Sequence, residues 1–171
     1  VGSEMCIRDR DKGDKLYRRG MYTYWRRTVP PPTMMAFNAA AREVCTVRTD
    51  LTTTPLQALT LMNDPAFVEL AVGLARRLMA EADSAANRIR LGFQLCLGRE
   101  PDAEELRLLT GMVESQRSEF AAQPAEAESV VATSRSLGQA TQPASSNAEL
   151  AAWTMAARVL LNLDETITRE C

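Results

Sequence analysis

The chain has 171 residues, of which 46% are hydrophobic and 25% are charged, and its formal net charge is −2. This composition excludes a disordered chain and is ordinary for one globular domain that buries a real core. The small negative charge argues against a nucleic-acid partner, and no apolar run approaches the roughly 18 residues that a membrane span needs.

The first ten residues, VGSEMCIRDR, do not share the helical patterning of the rest of the chain. They resemble translated sequencing-adapter read-through at the end of an assembled gene, and such segments are set aside before the fold is considered. Residues 1–10 are therefore interpreted as non-native, and residues 11–171 as part of one helical domain.

The segment from Lys15 to Arg27 carries five cations and no acid, with aromatic residues between them. One interpretation is a surface that binds a polyanion through charge and ring stacking. The favoured one is a packed amphipathic helix with a solvated basic face, because Tyr17, Met21 and Trp25 recur at i, i+4 and i+8. Pro30, Pro31 and Pro32 should end this helix and continue as a stiff polyproline-type connector.

The most distinctive stretch runs from residue 42 to residue 67. Its start, Glu43–Val47, favours an extended segment within a long irregular region at about residues 28–54. Thr54 and Pro55 then form a helix start, with a hydroxyl cap and a proline at the first helical position. Asp64 and Pro65 repeat that start signal, which predicts a corner between two helices.

Amphipathic helices are predicted for the rest of the chain. One runs from about Pro65 to Glu81, and the next carries Ile89 and Phe93 and stops at Gly98 in a left-handed cap. Another opens at Pro101 with Asp102 and Glu105 three residues apart, as in a capping box. A weaker helix covers Pro124 to about Leu137, a loop covers Gly138–Asn147, and a strongly apolar helix comes last. The fold class is therefore all-α, an orthogonal domain of about six helices. The last helix is predicted to dock through Leu150, Trp153, Ala157, Leu160 and Leu161.

Sequence motifs that indicate catalysis, metal binding or cofactor binding are sparse. The chain has no histidine, so it lacks the commonest metal ligand and general base and holds no C-x-x-C-H haem motif. We find no phosphate loop, nucleophile elbow or zinc spacing, and we predict neither a metal nor a cofactor in this chain. Cys96 is expected to be a buried hydrophobe. Cys45 is expected to be a buried structural residue, and a reactive thiol is the alternative.

One polar cluster stands out around the predicted corner. If the extended segment folds over the corner, these side chains would form a buried network that braces it. The functional alternative is a groove in which Arg42 and Arg48 bind a carboxylate or sulfate of a glycan or a protein partner. The candidate residues are Arg42, Glu43, Arg48, Gln57, Asn63 and Asp64.

Several runs of the sequence, in this order, resemble one known family. They are YTYWRRTVPPPTMMAF from Tyr22, REVCTVR from Arg42, TPLQAL from Thr54, MNDP from Met62 and the closing AAWTMAARVLLNLDETITRE. The resemblance is to the C-terminal domain of unknown function 1553, the PSD-one domain, of planctomycete-type multidomain proteins, and it extends from about Leu16 to Glu170.

The resemblance implies that the chain is a C-terminal fragment of a longer, periplasmic or secreted protein. Longer relatives typically carry an export signal, often a cytochrome-c-like module, and a further uncharacterised domain. Any haem would then lie upstream, and the family brings no catalytic residues to transfer. We therefore expect a non-catalytic module that packs against upstream domains of the same polypeptide. The alternative is part of an enzyme cleft for polysaccharide or another anionic substrate, with Arg42, Arg48 and Asp64 contributing.

Overall fold

The computed structural model describes residues 20–22, 25, 30–40, 45, 47, 52–135 and 147–168. Within these residues the regular structure is helical and contains no strand, which confirms the all-α fold class. A 3-10 turn spans Gly20–Tyr22. The α-helices are α1 (Pro32–Ala36), α2 (Pro55–Asn63), α3 (Pro65–Glu81), α4 (Ala85–Cys96), α5 (Ala103–Ala122), α6 (Pro124–Arg135), α7 (Asn147–Leu161) and α8 (Asp164–Ile167).

The N-terminal third departs from the sequence prediction in two places. Pro32 begins α1 instead of continuing a polyproline connector, because a proline at the first helical position loses no hydrogen bond. Met21, predicted to face the core, is 65% exposed, and the turn around it is of the 3-10 type. The rest of the predicted Lys15–Arg27 helix, apart from Trp25, lies outside the described residues.

The predicted helix boundaries elsewhere are explained by their capping residues. Ser84 caps α4, accepting a hydrogen bond from the Asn87 amide at 3.2 Å. Gly98 lies just after α4 with φ of +75°, a left-handed conformation that glycine adopts without strain, as predicted. The capping box predicted from Asp102 and Glu105 is present at the start of α5. Of the loop predicted at Gly138–Asn147, residues 138–146 lie outside the described residues, and Asn147 begins α7.

Helix α7 is the centre of the molecule. Helices α3, α5 and α6 pack most closely against it. The predicted face is confirmed, since Leu150, Trp153, Ala157 and Leu160 are buried and Leu161 is half-buried. Small residues on its other sides, including Ala151 and Ala152, are buried as well. Helix α7 is therefore the core of the domain rather than a rod docked on its surface, because alanines let neighbouring helices approach from several directions.

No single helix in the described part of the chain is long and apolar enough to cross a bilayer. Helices α2 and α3 together reach the required length and apolarity, but their axes are bent by 65° at Asp64.

Candidate functional site

The corner between α2 and α3 forms as predicted. Thr54 precedes α2, and its side chain accepts a hydrogen bond from the Gln57 amide at 3.3 Å. In return, the amide of Thr54 donates to Gln57 Oε1 at 2.8 Å, which completes a capping box. At the other end of α2, Asp64 Oδ1 accepts from the Ala66 amide at 2.9 Å and caps α3. The Asp64 cap and Pro65 at the first position of α3 explain why the chain turns sharply at the end of α2.

The predicted polar cluster can be traced for three of its six residues. Gln57 is 2% exposed and lies in the first turn of α2, whereas Asn63 and Asp64 lie at its end. Asn63 Nδ2 donates to the carbonyl of Leu59, 3.0 Å away in the same helix. Asn63 and Asp64 bond to backbone groups at the corner, whereas Gln57 bonds to the backbone at the opposite end of α2. Arg42, Glu43 and Arg48 lie outside the described residues, so the full six-residue cluster stays a prediction.

The corner is tied to the C-terminal end of the chain by contacts that sequence reasoning missed. Arg158 in α7 donates from Nη2 to the carbonyl of Met62, near the end of α2. Thr53, just before α2, donates from its hydroxyl to Asp164 Oδ1 in α8. These partners are separated by 96 and 111 residues, and no local pattern could have paired them.

Two buried polar residues were also missed. Glu69 in α3 is 2% exposed and Thr154 in α7 is fully buried. Thr154 donates its hydroxyl to the Leu150 carbonyl at 2.7 Å, so its polar group is satisfied within its own helix. Glu69 lies about one helical turn after Pro65. It is three residues before the buried Val72, so both lie on the same side of α3, and this spacing could have predicted that Glu69 is buried.

The strongest electrostatic site lies around Arg99, between α4 and α5. Its guanidinium donates to both oxygens of Glu105, at 2.7 and 2.8 Å, and to Glu165 at 2.7 Å. It also lies 5.1 Å from the ring centroid of Phe93. Hydrogen bonds from Arg99 and from the Asp102 amide lower the pKa of Glu105 to about 2. The arrangement holds α8 against the α4–α5 corner.

A shallow cleft of about 200 Å³ lies between α4, α5 and α7. Arg88 at its wall donates to Glu149 at 2.9 Å and to the Ala82 carbonyl at 2.9 Å, and lies 5.3 Å from the Trp153 ring centroid. The remaining charged lining residues are Arg117, Asp83 and Glu114. The lining has two arginines and three carboxylates, so its charge does not favour an anion.

The cysteines and acidic residues in the described part of the chain were searched for groups that could bind a metal ion. No group of three or more Cys, Asp or Glu side chains comes close enough to hold a metal ion there. Cys96 is half-buried against the core, close to its predicted role. Cys45 is an exposed free thiol, so the prediction of a buried structural residue was wrong at this position.

Comparison with known proteins gives one match. A family model described as PSD1, protein of unknown function (DUF1553), matches residues 3–113, which is more than half of the chain. The matched range includes the whole α2–α3 corner, whereas the closing run from Ala151 lies beyond it. It also includes residues 3–10, whose non-native origin stays a prediction. No curated protein matches the chain, and no solved structure matches it.

Proposed function

We propose, because the chain belongs to the PSD1 family of proteins of unknown function, that it is a non-catalytic structural and interaction module of a larger exported protein. In this proposal the module packs against upstream domains of the same polypeptide, in the periplasm or outside the cell. A cytochrome-c-like domain would be among its neighbours, and haem would be bound there and not by this chain.

This proposal is supported by the hydrogen bonds that the candidate polar side chains make to the backbone. Gln57, Asn63 and Asp64 each bond to backbone groups at the ends of α2 and α3. Polar side chains that complete helix ends in this way fix the path of the chain. The alternative, a cleft for an anionic substrate, needs side chains that converge on a shared space. Among the described candidates, Gln57 is separated from Asn63 and Asp64 by the length of α2.

The experiment compares stability with ligand binding in the purified chain. Asp64→Ala should lower the free energy of unfolding by about 1 kcal/mol, because it removes a helix cap. Ser84→Ala, which removes the cap of α4 far from the candidate cluster, is the matched control and should cost a similar amount. Urea unfolding monitored by circular dichroism measures both.

The cleft alternative predicts a different pattern. Heparin serves as the sulfated probe, and binding is measured by calorimetry for the native chain and for the double variant Arg42→Gln, Arg48→Gln. Under the module proposal neither protein binds heparin. Heparin binding by the native chain that is lost in the double variant, together with unchanged stability of Asp64→Ala, would overturn the proposal.

A further inference from the structure

Exposed apolar side chains are concentrated in the first 70 residues. Among the described residues, ten large hydrophobic side chains are exposed, and eight of them lie between positions 21 and 70. They are Met21, Tyr22, Met35, Val47, Leu56, Leu59, Met62 and Leu70. Single exposed apolar residues are ordinary on a protein surface, but a concentration of them marks a contact surface.

Three of these side chains form a line along one helix. Leu56, Leu59 and Met62 are 59%, 58% and 44% exposed and recur every three residues along α2. At 1.5 Å per residue this line is about 9 Å long. We call these three side chains the α2 face. The opposite side of α2 carries the buried Gln57, so the helix is fixed on the domain with its apolar side outward.

The stretches of sequence that form α1 and α2 carry no charge, whereas the flanking Asp64 and Arg158 bond to backbone groups at the start of α3 and the end of α2. Residues 30–40 and 52–63, which include α1 and α2, contain no Asp, Glu, Lys or Arg. By contrast, α5 has six charged residues within its 20 positions. A surface that stays in water usually has charges of both signs, whereas the centre of a permanent interface is depleted of them. The contrast indicates that the α2 face is covered in the complete protein.

The size of the α2 face favours a covalently connected partner over a second copy. Burying three side chains of this kind removes on the order of 300 Å² from water. A stable complex between separate proteins buries about 800 Å² on each partner. A smaller contact is sufficient within one polypeptide, because the linker supplies a high effective concentration.

We infer that the α2 face is the docking surface for an uncharged apolar segment of the same polypeptide, upstream of this chain. This inference rests on the proposed function, since it identifies the surface through which the module packs against its neighbour. The partner segment should present aliphatic side chains at helical spacing, with no lysine, arginine or acid opposite Leu59. A charge there would be desolvated without a partner.

Hydroxyl-radical footprinting tests the inference without any mutation. The isolated chain and the complete gene product that contains it are oxidised in parallel and analysed by mass spectrometry. Modification of Leu56, Leu59 and Met62 should fall several-fold in the complete product. Leu108 is the matched control, since it is a helical leucine that is 56% exposed on the charged α5. It should react equally in both.

A second measurement uses substitution. Leu59→Asp should lower the unfolding temperature of the complete product by more than that of the isolated chain, whereas Leu108→Asp should lower both equally, through helix propensity alone. Dissociation of the docked segment should rise by at least about tenfold, because burying one leucine contributes that much or more.

Three results would overturn the inference. The α2 face could react equally in the complete product and the isolated chain. It could already be protected in the isolated monomer, which would mean that this chain covers its own surface. It could also be protected through dimerisation of the isolated chain that Leu59→Asp abolishes, which would make a second copy the partner. Each result leaves the cap and heparin measurements unaffected, so failure here is distinct from failure of the proposed function.

Discussion

At the scale of single residues, Arg99 carries the most concentrated set of interactions in the described chain. It contacts the ring of Phe93 in α4, the carboxylate of Glu105 in α5 and that of Glu165 in α8. An arginine suits this position because its planar guanidinium bonds to two carboxylates and still stacks on a ring. Its charge persists at every pH at which the protein folds, so only the carboxylates titrate.

The first prediction concerns acid stability. Glu105 has a pKa of about 2 in the folded protein against an ordinary value of 4.5, and Arg99 also lowers the pKa of Glu165. A carboxyl with a depressed pKa stabilises the fold fully above the ordinary value, and this contribution is lost as the pH falls toward the folded value. Stability should therefore decline between about pH 4.5 and pH 2, and Arg99→Gln should make that decline shallower. Urea unfolding at pH 6.5 and pH 3 measures the difference.

At pH 6.5 we expect Arg99→Gln to cost about 1 kcal/mol, after allowance for solvent screening of a partly exposed pair. The control is Arg107→Gln, whose partner Glu104 lies three residues away on the exposed side of α5. This substitution should cost much less, because both charges are exposed and screened by solvent. Equal acid sensitivity of the native protein and Arg99→Gln would contradict the assignment to Arg99.

At the scale of helices, the starts of α2, α3 and α5 could be predicted from sequence because their signals are local. A cap and the amide that it accepts from lie within three residues of each other. What a helix face packs against could not be predicted in the same way. The spacing of Leu56, Leu59 and Met62 correctly places them on one side of α2, but an apolar line indicates a contact without saying which molecule supplies it. Here the described domain packs against the side of α2 that carries Gln57.

The second prediction separates close helix packing from helix propensity. A Cβ atom on Gly92 in α4 would lie 2.7 Å from Leu160 Cδ1 in α7 and 3.5 Å from Leu78 Cδ1 in α3. Both leucines are fully buried and cannot move aside freely. Gly92→Ala should therefore destabilise the fold by about 1–3 kcal/mol through overpacking, although alanine favours a helix.

Gly111 in α5 is the matched control, because a Cβ there meets no atom within 4 Å. Gly111→Ala should stabilise the fold by about 0.5–1 kcal/mol through propensity alone. Thermal unfolding of both variants gives opposite shifts if α4 lies as close to α7 as the structure shows. A stabilising Gly92→Ala would place α4 farther away.

At the scale of the whole molecule, α7 and α8 near the end of the chain contact both ends of α2 and the α4–α5 corner. Thr53 bonds to Asp164, Arg158 to Met62 and Arg99 to Glu165. Such pairs could not be predicted from one sequence, because nothing local to Thr53 or Met62 specifies a partner about a hundred residues away. The same limit applies to the candidate site. Its helix-capping members were identifiable, whereas a network with Arg42 and Arg48 depends on long-range folding and stays a prediction.

The third prediction concerns these contacts of α8. The double variant Asp164→Asn, Glu165→Gln keeps the length of the chain but weakens the bond to Thr53 and removes the charge that pairs with Arg99. Asp164 connects α8 to the start of α2, and Glu165 connects it to the α4–α5 corner. Both regions should therefore open more often in the double variant. Hydrogen exchange should therefore accelerate in residues 52–58 and 97–105 and stay unchanged in the buried centre of α3, residues 71–78. Uniform acceleration over all three regions would instead mean that α8 stabilises the fold only globally, and no change at residues 52–58 would show that α2 is held without it.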